Sequence, residues 1–321
     1  MDINRRDFLK VAAGGGLAVA ANLSPVPVLA REATPRLPEA VGLLYDATVC
    51  VGCRACMVAC KEVNHLPPVF SRPNDVWDNP MDLSDKTFNI IKLYKNGMGV
   101  YKDQEINGYS FIKRSCMHCV DPACTSACPV SALTKDPVTG IVKYNKDACI
   151  GCRYCQVACP YNIPKFQWGE AFPQIMKCEM CYPRVDKGGY PACAEFCPNG
   201  GTIFGEVQDL LKEARRRLAL KTGEVAPYPL HRLDSQEKRY RTATPYQKRI
   251  YGEKEGGGTQ VLMLAGVPYG KLGLPALPNE SPAGASETLM HTLYKGMIGP
   301  YVLLGGLFYL IYKNTGKQDL P

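Results

Sequence analysis

Cys149-Ile150-Gly151-Cys152-Arg153-Tyr154-Cys155-Gln156-Val157-Ala158-Cys159-Pro160 is the stretch from which the fold is read. Its C-x2-C-x2-C-x3-C-P spacing lets three thiolates wrap one face of a compact metal centre, while a fourth cysteine followed by proline leads away from it. In paired 4Fe-4S centres that fourth ligand serves the neighbouring cluster. One such run implies a partner, and the 321-residue chain holds three more cysteine groups.

All sixteen cysteines fall into four quartets: Cys50, Cys53, Cys56 and Cys60; Cys116, Cys119, Cys124 and Cys128; Cys149, Cys152, Cys155 and Cys159; Cys178, Cys181, Cys193 and Cys197. The first is the least regular, since Lys61 stands where the others close with proline. Disulfides between cysteines two or three residues apart would be strained. Zinc sites use paired C-x2-C units without the further x2-C-x3-C-P extension. Covalent haem needs C-x-x-C-H, and no pair here is followed by histidine. The formal charge of +8 counts thiols as neutral. Clusters of roughly two negative charges each would offset it, so the Lys and Arg excess points away from nucleic acid and towards cluster compensation.

Spacing also suggests how the quartets pair. The second and third lie close in sequence and form a two-cluster unit in which each lends its fourth cysteine to the other. One inner cluster takes Cys116, Cys119, Cys124 and Cys159; its partner takes Cys149, Cys152, Cys155 and Cys128. The outer quartets can pair around them without threading the chain. That assigns Cys50, Cys53, Cys56 and Cys197 to one outer cluster, and Cys178, Cys181, Cys193 and Cys60 to the other. The expected fold is α+β: two nested ferredoxin-like two-cluster units with a β insert and a C-terminal transmembrane helix. Fully ligated clusters leave no open metal position for substrate, and no catalytic constellation stands out. His118 lies inside a C-x2-C loop, where it either tunes a potential or merely fills the turn; His65, His231 and His291 have no evident ligand partners. The implied function is non-catalytic electron conduction.

Flanking segments complete the expected plan. Asn4-Arg5-Arg6-Asp7-Phe8-Leu9-Lys10 precedes an Ala- and Gly-rich stretch, and Val28-Leu29-Ala30 suggests cleavage, so residues 1–30 read as a twin-arginine export signal. Residues 31–289 form the cluster domain, with an insert at 61–115 and an extension from about 206. The insert begins as Pro-rich loop and continues as strands at Phe88–Tyr94 and Tyr109–Lys113 around an Asn96-Gly97 hairpin. Asp136–Gly140 reads as a second hairpin turn, Thr202–Phe204 as a strand, and Val207–Leu220 as an amphipathic helix. Its Arg215-Arg216-Arg217 run reads as a solvated face. Residues 221–259 carry no legible chemistry. The Gly-rich segment at 251–262 lacks the G-x4-G-K-[ST] spacing and precedes a strand, which excludes a phosphate loop. Gly296–Tyr312 is uncharged and would reach roughly 25 Å as a helix. Lys313 and Lys317 follow it, so residues 290–313 are expected to anchor the chain in a membrane and 314–321 to lie on the cytoplasmic side.

Residues 43–205 resemble the four-cluster ferredoxin-like electron-transfer subunits of membrane-bound respiratory oxidoreductases. A narrower resemblance is to the electron-transfer subunit of hydrogenase-2-type NiFe hydrogenases. It rests on Cys116-Met117-His118-Cys119-Val120-Asp121-Pro122, on Tyr251-Gly252-Glu253-Lys254-Glu255-Gly256-Gly257-Gly258-Thr259-Gln260-Val261, and on His291-Thr292-Leu293-Tyr294-Lys295-Gly296-Met297. The resemblance implies four 4Fe-4S clusters on the sixteen cysteines, at the periplasmic face of a bacterial inner membrane. Implied partners are the small and large hydrogenase subunits, an integral-membrane quinone-reactive subunit and the membrane, with no nucleic acid. The same relay role in a formate dehydrogenase or molybdopterin reductase is the alternative within this class. A zinc-binding structural adaptor is the alternative from another.

Overall fold

Every residue of β1 (Val41–Asp46) after the first is buried, and the strand serves two cores at once. Alternation sends Leu43 and Tyr45 to one face and Leu44 and Asp46 to the other. The first face joins a core that includes Cys56, Cys116, Cys193 and Phe111. Leu44 joins a second core with Ile203, Leu210 and Leu262. The computed structural model describes residues 34–70 and 78–315. The export signal and its cleavage site therefore lie outside the described residues, as do residues 316–321.

After β1 come α1 (Ala55–Val63), β2 (Ile90–Lys95), β3 (Tyr101–Lys102), β4 (Gly108–Arg114) and α2 (Ala123–Ser126). The chain continues through β5 (Leu133–Lys135), β6 (Val142–Tyr144), α3 (Tyr154–Ala158), β7 (Lys165–Phe166), β8 (Ile175–Met176), α4 (Tyr182–Val185) and α5 (Ala192–Glu195). β9 (Thr202–Glu206), α6 (Val207–Ala219), β10 (Val225–Pro229), β11 (Lys238–Thr242) and β12 (Val261–Leu264) complete residues 32–283, which form one unit. This is a mixed α and β arrangement with small sheets, as a ferredoxin-like fold requires. The short helices pack in nested pairs, α1 on α5 and α2 on α3.

β1 is the centre of a three-stranded sheet of order β12-β1-β9. It runs antiparallel to β9, with Leu44 opposite Ile203, and parallel to β12, with Leu43 opposite Val261. At Gly42 the β12 backbone comes so close that a Cβ would lie 2.0 Å from the Gln260 carbonyl oxygen. α6 covers one face of this sheet through Val207, Leu210, Leu211 and Ala214, the apolar stripe of an amphipathic helix.

Several expectations are refined. In the insert, β2 and β4 pair antiparallel as expected, but their connection is no tight hairpin, since β3 lies within it and pairs parallel with β4. α1 runs on past Cys60 to Val63, so the insert starts as helix, not loop. Residues 225–242, which carried no legible signal, form the β10–β11 hairpin.

The C-terminal helix α7 (Ala283–Thr315) falls almost wholly outside the 32–283 unit. It starts well before residue 290, the expected boundary. The transmembrane expectation is corrected here: among the described residues, no helix is long and apolar enough to cross a membrane. Its length suffices, with 33 residues. Glycines, tyrosines and Pro300 dilute the hydropathy of its apolar stretch, and lysines bound it closely.

Candidate metal centre

All four C-x2-C loops share one backbone device. The residue before the second cysteine is left-handed in each: Gly52 (φ 69°), His118 (φ 45°), Gly151 (φ 69°) and Met180 (φ 52°). The bend turns peptide N–H groups inward, so Gly52 N donates to Cys50 Sγ at 3.5 Å and Met180 N to Cys178 Sγ at 3.3 Å. Inward N–H groups of this kind form a concave surface that favours negative charge. Glycine adopts the conformation at no steric cost, and at Gly52 it is required twice over, because a Cβ would lie 2.4 Å from the Phe111 ring. His118 and Met180 take the same φ against their preference and are held by packing, each only 1% exposed.

The second half of each quartet is carried by a short helix, and the nested helix packing joins quartets that are distant in sequence. Cys60, Cys178, Cys181 and Cys193 line a first cavity. Cys50, Cys53, Cys56 and Cys197 line a second. Cys128, Cys149, Cys152 and Cys155 line a third. Around Cys119, the thiols whose charges act on it are Cys159, Cys116 and Cys124. In each of the three cavities, three of the lining cysteines come from one quartet and one from another.

The chemistry of these donor sets fits an iron-sulfur core. All sixteen cysteines are free thiols. Burial pushes Cys56 and Cys60 up to about 12, and the neighbouring thiols Cys193, Cys50 and Cys181 add to the shift. Burial likewise takes Cys155 up to about 12, with Cys128, Cys152 and Cys149 adding to it. Four thiolates could not share one such cavity without a cationic centre to offset them, and bound iron supplies that charge. Among the described residues no group of three or more His, Cys, Asp or Glu side chains is arranged to hold a single metal ion.

Surrounding side chains add donors and cations. Asn64 Nδ2 lies 3.6 Å from Cys60 Sγ and 4.0 Å from Cys181 Sγ, reaching two members of the first group. Ala132 N donates to Cys128 Sγ at 3.2 Å. Lys177 Nζ donates to the carbonyls of Val142 (2.5 Å) and Cys178 (3.1 Å), and Lys135 Nζ to those of Cys119 and Val120. Lys113 differs. It is fully buried and lines the first cavity, where its Nζ meets the Cys193 thiol and has no carboxylate or carbonyl partner. Burial opposes its charge, but Cys193 and Cys56 outweigh that and raise its pKa.

Of the histidines, His118 is buried, and its Nδ1 accepts the Val142 N–H at 3.1 Å. Burial, with Lys177 and Lys135 nearby, holds it well below its ordinary value and therefore neutral. The segment without legible chemistry proves to be support: Val120 N donates to Gly258 O, and Gln260 N to the Met117 and His118 carbonyls, so the Gly-rich loop braces the second quartet. The expectation of a solvated arginine run fails at Arg217. It is fully buried, with Nη1 2.9 Å from Asp46 Oδ2 and Nε 2.8 Å from Glu213 Oε1. Asp46 also accepts from Thr48 and Tyr246, so a charged network ties α6 to β1. A charged residue at the end of an apolar strand was the one sign of this in the sequence.

Comparison with known proteins agrees with the geometry. Residues 108–207 match a family described as a 4Fe-4S dicluster domain, and residues 2–21 a twin-arginine translocation pathway signal sequence. Over 321 residues the chain is 50% identical to the hydrogenase-2 operon protein HybA of Escherichia coli O157:H7, covering 99% of this chain and 97% of that one. It is 37% identical over 182 residues to the nitrate-inducible formate dehydrogenase iron-sulfur subunit of Escherichia coli K12, covering 56% and 58% of the two chains. With the formate dehydrogenase iron-sulfur subunit of Haemophilus influenzae the identity is 29% over 308 residues, 95% of this chain and 86% of the relative.

Proposed function

This chain belongs to the family of the hydrogenase-2 operon protein HybA, and from that premise we propose that it is a four-cluster wire in a hydrogenase complex. It is an iron-sulfur electron-transfer subunit and carries no substrate chemistry of its own. The observation that carries the reading is the cross-quartet grouping around the cavities. We assign one 4Fe-4S cluster to each group: Cys60, Cys178, Cys181 and Cys193; Cys50, Cys53, Cys56 and Cys197; Cys128, Cys149, Cys152 and Cys155; Cys116, Cys119, Cys124 and Cys159. When bound, each cluster accepts and releases one electron without a change of ligands. The chain's own part is to exclude water, direct N–H groups at sulfur and set the local charge, which together tune potential.

In this reading, electrons from the large and small subunits of a periplasmic NiFe hydrogenase pass along the chain to a quinone-reactive membrane subunit. The twin-arginine match supports export. Membrane attachment is supported by the exposed apolar surface of α7, where Tyr301, Leu304, Leu307, Phe308 and Tyr312 are all exposed. Truncation after Pro282 is expected to release the remainder into the soluble periplasmic fraction; a truncated chain that stays on membranes refutes the attachment. Metal analysis of the anaerobically purified complex tests the core proposal. About sixteen irons and sixteen sulfides per chain are expected, whereas zinc without sulfide would end it. The identity of the catalytic subunit that co-purifies separates a hydrogenase wire from the formate dehydrogenase role suggested by the other relatives.

A further inference from the structure

Lys113 stands out among the charged groups around the cavities. Its position is set by β4, whose register places it opposite Ile91 near the end of the central strand of the insert sheet. It lines the cavity of Cys60, Cys178, Cys181 and Cys193. No carboxylate pairs with it among the described residues. Glu179 lines the same cavity, but its Oε1 is engaged by the Tyr144 N–H at 2.5 Å. Lys177 and Lys135 satisfy their ammonium groups on main-chain carbonyls, whereas Lys113 Nζ has no such partner.

A buried ammonium without a carboxylate is costly, and an apolar side chain of similar volume would fill the place without that cost. The residue is stable there only if something anionic faces it. We infer that Lys113 is a fixed cation of the Cys60, Cys178, Cys181 and Cys193 site, raising the reduction potential of the cluster held there. Reduction adds one negative charge to a cluster, so a nearby cation stabilises the reduced form more than the oxidised one. The insert that separates the first two quartets thereby acquires a purpose: its sheet delivers a charge to that site. This inference rests on the ligand assignment proposed above.

The test compares Lys113→Met, which keeps the length and removes the charge, with Lys113→Arg, which keeps the charge. Both are made in the full chain, purified anaerobically with its complex, and followed by EPR-monitored redox titration together with iron and sulfide counts. In Lys113→Met the reduced-to-oxidised ratio of one cluster at fixed potential should fall at least tenfold, a downward shift of about 59 mV for a one-electron couple. The other clusters should shift less, and Lys113→Arg should restore the first site. Unchanged potentials in a fully loaded Lys113→Met protein overturn the inference, as does an equal shift in both variants, which would mean packing and not charge. If Lys113→Met loses one cluster's iron and Lys113→Arg retains it, charge compensation stands; loss in both variants overturns it. An iron count that does not fit four clusters in the unsubstituted chain refutes the ligand assignment instead, so the two failures are distinguishable.

Discussion

Cys60 gives the sharpest test of how the wire is ligated. By sequence it belongs with Cys50, Cys53 and Cys56, whereas in space it lines the cavity of Cys178, Cys181 and Cys193. Burial raises its thiol to about 12, and the first neighbours acting on it are Cys193 and Cys181. Asn64 bridges towards both Cys60 and Cys181. Each cluster accounts for about four of sixteen irons, so Cys60→Ser should remove at most about four. The pairing is read from double substitutions. Cys60→Ser with Cys178→Ser should lose no more iron than either alone, because both strike one cluster. Cys60→Ser with Cys50→Ser should lose about eight, because they strike two. Iron and sulfide counts with EPR of the reduced protein provide the assay. The opposite pattern, additive with Cys178 and non-additive with Cys50, would refute cross-ligation and return Cys60 to its own quartet.

Other predictions concern the supports of the clusters. Arg217→Met strands Asp46 as a buried anion and should destabilise the α6–β1 contact by about 3–5 kcal/mol, seen as a lower urea midpoint for loss of cluster absorbance. Adding Asp46→Leu should recover part of that cost, and a double variant as weak as the sum of the singles would count against a coupled pair. Gly52→Ala places a methyl group on the Phe111 ring in a left-handed position, so it should lower occupancy of the Cys50, Cys53, Cys56 and Cys197 site while the inner clusters remain. Asn64→Leu removes a donor to two sulfurs and should lower the potential of the first site at unchanged iron content. Stripping iron with a chelator leaves four thiols crowded in each cavity and should loosen both nested helix pairs, measurable as faster amide exchange in α1 and α5 than in α6.

The cysteine spacing alone determined much of this protein. C-x2-C-x2-C-x3-C-P is a local geometric requirement, because the left-handed turn and the helix start that follows it need only adjacent residues. A grouping of the quartets could be expected for the same reason, since a fourth cysteine that leads away must meet a neighbour. β1, β9, the β5–β6 hairpin and α6 could likewise be read from short apolar patterns. The partnership of β1 with β12, some two hundred residues along the chain, could not, since parallel pairing leaves no turn between its strands to announce it. Nor could the burial of Arg217, whose sequence context is that of a solvated helix face. Lys113 is the clearest case. In sequence it is one basic residue near the end of a strand, and only the packing of the insert sheet against the Cys60, Cys178, Cys181 and Cys193 group makes it a buried charge without a carboxylate. Local spacing specifies which atoms can hold iron; long-range packing decides what charge and water those atoms encounter, because both depend on every segment that closes over them.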